Sequence, residues 1–69
     1  MISLRETQFY KDMTNYDAVG LAEGFVEAES EEEELAAWQY IYDHRMYRYL
    51  QGWFGRTVES LLNQGVIAK

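Results

Sequence analysis

The residues with the clearest capacity for chemistry form the segment Gly-Trp-Phe-Gly-Arg-Thr at positions 52–57. Glycines leave backbone N–H groups accessible, Arg56 supplies positive charge, and a helix starting at Thr57 would direct its N-terminus at a phosphate or other anion. The segment has neither the Walker nor the dinucleotide-binding context that makes short glycine motifs specific. We therefore favour a structural interpretation, in which Arg56 bonds to carbonyls or acidic residues of the same chain.

The same segment predicts a sharp corner in the chain. Glycine costs about 1 kcal/mol relative to alanine inside a helix. Gly52 and Gly55 are therefore expected to keep residues 52–55 out of helical conformation. The bracketed pair, Trp53 and Phe54, then turns inward and packs on the helix that carries Trp38.

Three arginines, Arg45, Arg48 and Arg56, together with Trp53 indicate a second kind of chemistry. Rings that stack on bases and guanidinium groups that contact phosphates would form a small nucleic-acid platform. The composition argues against this function, because 12 acidic residues oppose six basic ones and the formal net charge is −6. An acidic protein does not attract nucleic acid by bulk charge. Nucleic-acid binding is kept as the alternative function.

Acidic residues are concentrated in the first half of the chain. Residues 1–34 hold ten acids and two bases, a net charge of −8, whereas residues 35–69 hold two acids and four bases, a net charge of +2. Six acids within eight positions repel one another, and a fold tolerates this repulsion at a cost in stability. Either these acids serve a partner, or they lie at a solvated helix start. They are predicted to contact a basic partner protein, with mimicry of a phosphate backbone as one form of that contact: Glu27, Glu29, Glu31, Glu32, Glu33 and Glu34.

Aromatic residues provide the second reason to expect a protein partner. The chain has six Tyr, three Phe and two Trp, which is more than a body of 69 residues can bury completely. Tyr and Trp at a surface are favoured anchors of protein interfaces. We predict that Tyr40 and Tyr47 join the glutamates at the partner-binding surface.

The sequence predicts no enzyme. Asp43 and His44 are neighbours that resemble an acid–base pair, but no Ser or Cys nucleophile lies at a recognisable spacing from them. A chain this short has little room for a water-excluding pocket of about 300 Å³ or more. With no cysteine and one histidine, we expect neither a metal site nor a cofactor.

The element that begins the ordered domain is predicted to be a helix. Thr14 or Asn15 can cap its start, and Asp17 suits the positive end of the helix dipole. Gly24 marks its end, and Gly20 allows a close crossing of another helix. Apolar residues recur at helical spacing, namely Tyr16, Val19, Ala22 and Val26, beside Ala18, Leu21 and Phe25.

Two further helices follow in the prediction. Ser30 and Glu33 match a capping box, the clearest local signal in the chain, and begin a helix that runs to about Asp43. The last helix starts near Thr57 and ends at Gly65, after which the chain folds back over the helix end. Between these helices a short apolar stripe is expected to face inward: Met46, Tyr49 and Leu50.

The predicted fold is all-α, a small bundle of three to four short helices around an aromatic core. Residues 14–69 are expected to form a single helical domain, preceded by a partly ordered arm over residues 1–13. Small domains usually need a staple such as a disulfide, a metal or a second subunit. A homodimer is therefore an open alternative, and a structural dimerisation unit is a third candidate function.

No apolar run approaches the 18 or so residues that span a bilayer. The N-terminal residues also lack the apolar core and cleavage site of a signal peptide. The expected location is the cytoplasm, without membrane association.

Residues 24–67 resemble a family of very small proteins encoded mainly by tailed bacteriophages. The resemblance is carried by residues 37–43, by Leu-Gln-Gly-Trp-Phe-Gly-Arg-Thr at positions 50–57, by Leu61-Leu62, and by Gly-Val-Ile at positions 65–67. This chain departs from the family at Asp43-His44-Arg45, where the family has Asp-Thr-Gly. The family has no established activity, so the resemblance implies origin and architecture.

Together these features predict a small acidic accessory protein that acts by protein–protein interaction. If it is encoded by a phage, its partner is a host protein that it modulates or inhibits in the host cytoplasm. A basic or nucleic-acid-binding protein would suit the negative charge.

Overall fold

The computed structural model describes residues 3–69, in which all regular structure is helical. The all-α architecture of a few short helices is therefore confirmed. Met1 and Ile2, the start of the predicted arm, lie outside the described residues. Two 3₁₀ turns and four α-helices follow in the order Leu4–Glu6 (3₁₀), Gln8–Lys11 (α1), Asn15–Glu23 (α2), Glu31–Asp43 (α3), Met46–Arg48 (3₁₀) and Gly52–Gln64 (α4).

Helix α2 begins and ends at the predicted residues. The Thr14 hydroxyl accepts a hydrogen bond from the Asp17 N–H at 3.1 Å, and Gly24 ends the helix in the left-handed conformation at φ 84°. Gly20 permits a close approach, but the segment that approaches is the following loop and not a crossing helix. A Cβ at Gly20 would lie 2.8 Å from Cγ2 of Val26, so the chain after α2 folds back onto it.

Helix α3 begins with the predicted cap. The Ser30 hydroxyl accepts from the Glu33 N–H at 3.2 Å. The Glu33 carboxylate accepts from the Glu29 N–H at 2.7 Å, one residue before the position expected for a capping box. The helix ends at Asp43, as predicted. Arg45 then takes a left-handed conformation at φ 56° and starts the second 3₁₀ turn.

The predicted corner at residues 52–55 is wrong, because these residues form the first turn of α4. Gly52 is the first helical residue, and neither Gly52 nor Gly55 has a positive φ. The entropic cost of two helical glycines is about 1–2 kcal/mol, and burial of Phe54 and Trp53 against α3 outweighs it. Thr57 is not a cap; inside the helix its hydroxyl donates to the Trp53 carbonyl at 2.9 Å.

The centre of the core is the aromatic cluster of Trp38, Trp53 and Phe54. The ring centroids of Trp38 lie 5.8 Å from Phe54 and 6.1 Å from Trp53. Phe54 is completely buried, and Trp53 is half-buried. The prediction that this pair packs on the Trp38 helix is therefore confirmed. The core is completed by smaller apolar residues, namely Ala18, Leu21, Ala37, Ile41, Met46, Val58 and Ile67.

Asp43 joins the N-terminal part of the described chain to α3. Its carboxylate accepts two hydrogen bonds from the Arg5 guanidinium, each at 2.7 Å, and one from the Tyr10 hydroxyl at 2.7 Å. Burial alone would raise the pKa of Asp43, but hydrogen bonds from Arg5, Tyr10 and Gln39 outweigh it and hold the pKa below its usual value. Burial and the bond to Asp43 raise the pKa of Tyr10 to about 12.

Gln39 secures the C-terminal residues from the same side. Its side-chain amide donates to the Ala68 carbonyl at 2.7 Å and accepts from the Ala68 N–H at 2.7 Å. Gly65 ends α4 in the left-handed conformation at φ 76°, and Ile67 is buried. The predicted return of the chain over the end of α4 is confirmed.

Candidate protein-binding surface

The glutamates predicted to bind a partner surround the start of α3, but they do not share one face. All six except the half-buried Glu33 are exposed. Glu31 and Glu32 line a hollow beside the C-terminal residues, whereas Glu33 lines a different hollow formed with α1 and α2. Within residues 3–69 the only ion pair joins Arg5 and Asp43. No arginine of the described chain therefore neutralises these glutamates, and the expected pairing of Arg56 with acidic residues is absent there.

Tyr40 and Tyr47, the predicted aromatic contacts, are half-buried against other rings. Tyr40 stacks on His44 at 3.9 Å, and its hydroxyl donates to the Asn15 side chain at 2.8 Å. Tyr47 lies nearly parallel to Tyr42, at 12° and 6.2 Å between centroids. Each ring thus has one side occupied within the chain.

Asp43 and His44 do not form an acid–base pair. The Asp43 carboxylate is occupied by Arg5 and Tyr10. The Nδ1 atom of His44 lies 3.0 Å from the Tyr40 carbonyl oxygen. The two neighbouring side chains therefore have separate partners.

The predicted nucleic-acid contacts are only partly available to a ligand. Arg45, Arg48 and Arg56 are exposed, and the Arg45 guanidinium lies 5.0 Å from the centre of the Tyr42 ring. Trp53, however, packs on Trp38 and donates its indole N–H to Gln51 at 3.2 Å. The ring expected to stack on bases is thus part of the core cluster.

The largest exposed apolar side chains lie elsewhere, around one groove. Tyr16 and Phe25 are each 83% exposed, and Tyr49 is 69% exposed. They border a depression of about 500 Å³ between the end of α2 and the second 3₁₀ turn. We call this the apolar groove and define it by its main apolar lining, Tyr16, Val19, Phe25, Val26, Tyr49 and Leu50.

Both walls of the apolar groove are held by backbone hydrogen bonds. On one side the N–H groups of Phe25 and Val26 donate to the Gly20 carbonyl at 2.9 and 3.1 Å. On the other side the N–H groups of Tyr49 and Leu50 donate to the Met46 carbonyl, both at 3.2 Å. Phe25 and Tyr49 are therefore carried on defined turns, and Tyr16 is carried on α2.

The sequence predicted an inward position for Tyr49, which is wrong because its side chain is 69% exposed, and it left the packed face of α2 open. Helix α2 has two apolar stripes, and the stripe that carries Ala18 and Leu21 is buried in the core. The stripe of Tyr16 and Val19 faces the groove. A helix that is apolar on two sides in so small a chain is the signal that could have indicated a second contact surface.

Carboxylates lie on the α2 side of the apolar groove, whereas the exposed Arg48 precedes Tyr49 on the opposite wall. Glu23 is the single charged residue in its lining. On the other side of Val26 lies a second depression of about 390 Å³, which we call the acidic hollow and which contains the carboxylates of Asp12, Asp17 and Glu33. Neither lining includes a lysine or an arginine.

Comparisons with protein-family models, with curated proteins and with solved structures gave no match. The resemblance to small phage proteins therefore stays a prediction. Across residues 3–69, no helix has the length and apolar character needed to cross a membrane. In the same range, no three His, Asp or Glu side chains are placed to hold a metal ion.

Proposed function

We propose that this protein acts by binding another protein through the apolar groove. The observation that carries the proposal is the exposure of three aromatic side chains, Tyr16, Phe25 and Tyr49, around one depression. Contiguous apolar surface on a small protein marks an interaction site. Tyr and other aromatic residues are also the commonest anchors of such interfaces.

The size of the apolar contribution indicates what kind of complex to expect. Covering one large apolar side chain stabilises a complex by about 2 kcal/mol, so three rings contribute about 6 kcal/mol. Association itself costs about 4–15 kcal/mol in lost translational and rotational freedom. The three rings alone would therefore give a weak contact, and further contacts or charge attraction are needed.

The unpaired carboxylates supply that attraction. The net charge of −6 and the exposed glutamates around the start of α3 favour a partner with a basic surface. Complementary charge accelerates encounter and selects against acidic proteins. With the phage resemblance of residues 24–67, the proposed partner is a host protein that this chain modulates or inhibits in the host cytoplasm.

The test is capture from a bacterial lysate with the wild-type chain and two variants. The first variant, Phe25→Ser with Tyr49→Ser, removes two rings of the groove. Because both rings are exposed, we expect this variant to fold normally. The second, Val66→Ser, changes an apolar residue that is 38% exposed and lies outside the groove. We expect a protein that wild type and Val66→Ser capture and the double variant does not.

Salt provides the second part of the test. Capture should weaken as ionic strength rises to about 0.5 M, because exposed charges are then screened over a few ångströms. A partner that is held equally by wild type and the groove variant would contradict the proposed surface.

A further inference from the structure

We infer that the apolar groove receives a basic amphipathic helix of the partner, with its apolar side chains in the groove and its lysines or arginines against the carboxylates beside it. This inference rests on the proposed function and specifies the partner segment. Three features support it: the described residues have no strand edge for a partner strand, carboxylates lie beside the groove, and the chain has a negative net charge.

The fold offers no strand edge to a partner in residues 3–69, because its regular elements are all helical. Pairing of a partner strand with an exposed sheet edge is therefore excluded as the binding mode there. Aliphatic side chains line the groove together with the aromatic rings, namely Val19, Val26, Met46 and Leu50. Such a mixed apolar lining suits the apolar face of an amphipathic helix, which is one of the common modes of peptide recognition.

The charges beside the groove specify the polar face of that helix. Glu23 lies in the groove wall, and the acidic hollow shares Val26 with the groove. A helix in the groove would therefore have flanking residues near Glu23 and near the adjoining carboxylates of Asp12, Asp17 and Glu33. Lysine and arginine at those flanking positions complement these carboxylates.

The net charge disfavours a second copy of this chain as the occupant. Symmetric dimers bring the same surface of both subunits together. Such a contact would bring together two chains that each carry a net charge of −6. Like charges at an interface oppose association.

The experiment titrates synthetic helical peptides into the full-length ¹⁵N-labelled protein and follows backbone amide shifts. One peptide has leucines on one face and lysines on the other. The second keeps the leucines and replaces every lysine by glutamate, and the third keeps the lysines but scatters the leucines. We expect the first peptide to shift the amides of Gly20, Phe25 and Tyr49, and the other two to bind at least about tenfold more weakly.

Variants assign the binding to the groove and to its charge. The double change Phe25→Ser with Tyr49→Ser removes two rings of about 2 kcal/mol each and should weaken the leucine–lysine peptide by about 10²- to 10³-fold, with no change for Val66→Ser. Glu23→Gln should weaken it about threefold, as expected for one exposed charge pair. Glu59→Gln, a charge change on α4 outside both depressions, should have no effect.

Each other outcome overturns the inference in a recognisable way. Equal binding of the leucine–glutamate peptide would show an apolar ligand site without charge selection. Groove shifts that depend on protein concentration without peptide would show that a second copy occupies the groove. If no peptide binds at the groove but a lysate protein still requires Phe25 and Tyr49, the helix inference fails while the proposed function stands. If the groove variant changes neither assay, both fail.

Discussion

Replacing Phe54 by alanine should remove most of the stability of this protein, whereas the same change at Phe25 should leave it nearly unaltered. Phe54 is completely buried between Trp38 and Trp53, with ring centroids at 5.8 and 4.0 Å. Phe25 is 83% exposed. The two variants delete the same atoms and differ only in what surrounded them.

The expected loss at Phe54 follows from the cavity that the change leaves. Buried Phe→Ala substitutions cost about 3–5 kcal/mol, and the better helix propensity of alanine returns about 0.5 kcal/mol in α4. At about 0.05–0.15 kcal/mol per residue, a chain of 69 residues has a free energy of unfolding of about 3–10 kcal/mol. A net loss of about 3–4 kcal/mol would leave Phe54→Ala marginal or unfolded. Phe25→Ala should stay within about 0.5 kcal/mol of wild type.

Urea denaturation followed by tryptophan fluorescence and far-UV circular dichroism measures both variants. Both tryptophans contact Phe54, so the fluorescence reports directly on the cluster. Equal midpoints for the two variants, or a loss below about 1 kcal/mol for Phe54→Ala, would refute the assignment of this cluster as the core.

Two further predictions concern backbone conformation and pH. Gly55→Ala should stabilise the protein by about 0.5–1 kcal/mol, because its Cβ would meet no atom within 4 Å and its φ is not positive. Gly65→Ala should destabilise the protein by about 1 kcal/mol, since φ is 76° at that position. Thermal melts measure both variants, and a loss of stability in Gly55→Ala would argue for a corner at residues 52–55 instead of a helix. Hydrogen bonds hold the pKa of Asp43 below its unfolded value. The ionised carboxylate therefore makes its full contribution to the free energy of unfolding above pH of about 3.9, and this contribution is lost as pH falls through the lower folded pKa. Asp43→Asn should therefore flatten the decline of stability in acid, with Glu59→Gln as the control, and an unchanged acid limb would count against the hydrogen-bond network.

The parts of the fold that the sequence predicts correctly depend on local hydrogen bonds. Thr14, Ser30, Gly24 and Gly65 act on groups within a few residues, so their neighbours in sequence are enough to locate the helix ends. The first turn of α4 depends instead on distant contacts. Two glycines argue against helix locally, but burial of the aromatic residues against Trp38 outweighs their propensity.

The candidate site was less accessible to sequence reasoning. Both apolar stripes of α2 have helical spacing, and only the position of α3 decides that Ala18 is buried and Tyr16 is exposed. The partners of Asp43 are also distant, since Arg5 is 38 positions away and Tyr10 is 33 positions away. No local pattern joins such residues.

The reciprocal bonds between Gln39 and Ala68 have a practical consequence for measurement. One glutamine amide reproduces the two-way pairing of adjacent backbones, and no other hydrogen bond among residues 3–69 involves the Ala68 N–H. Exchange of that single amide proton with deuterium therefore reports on the attachment of the C-terminal residues to α3. It would detect their local release under conditions in which the tryptophan cluster is still intact.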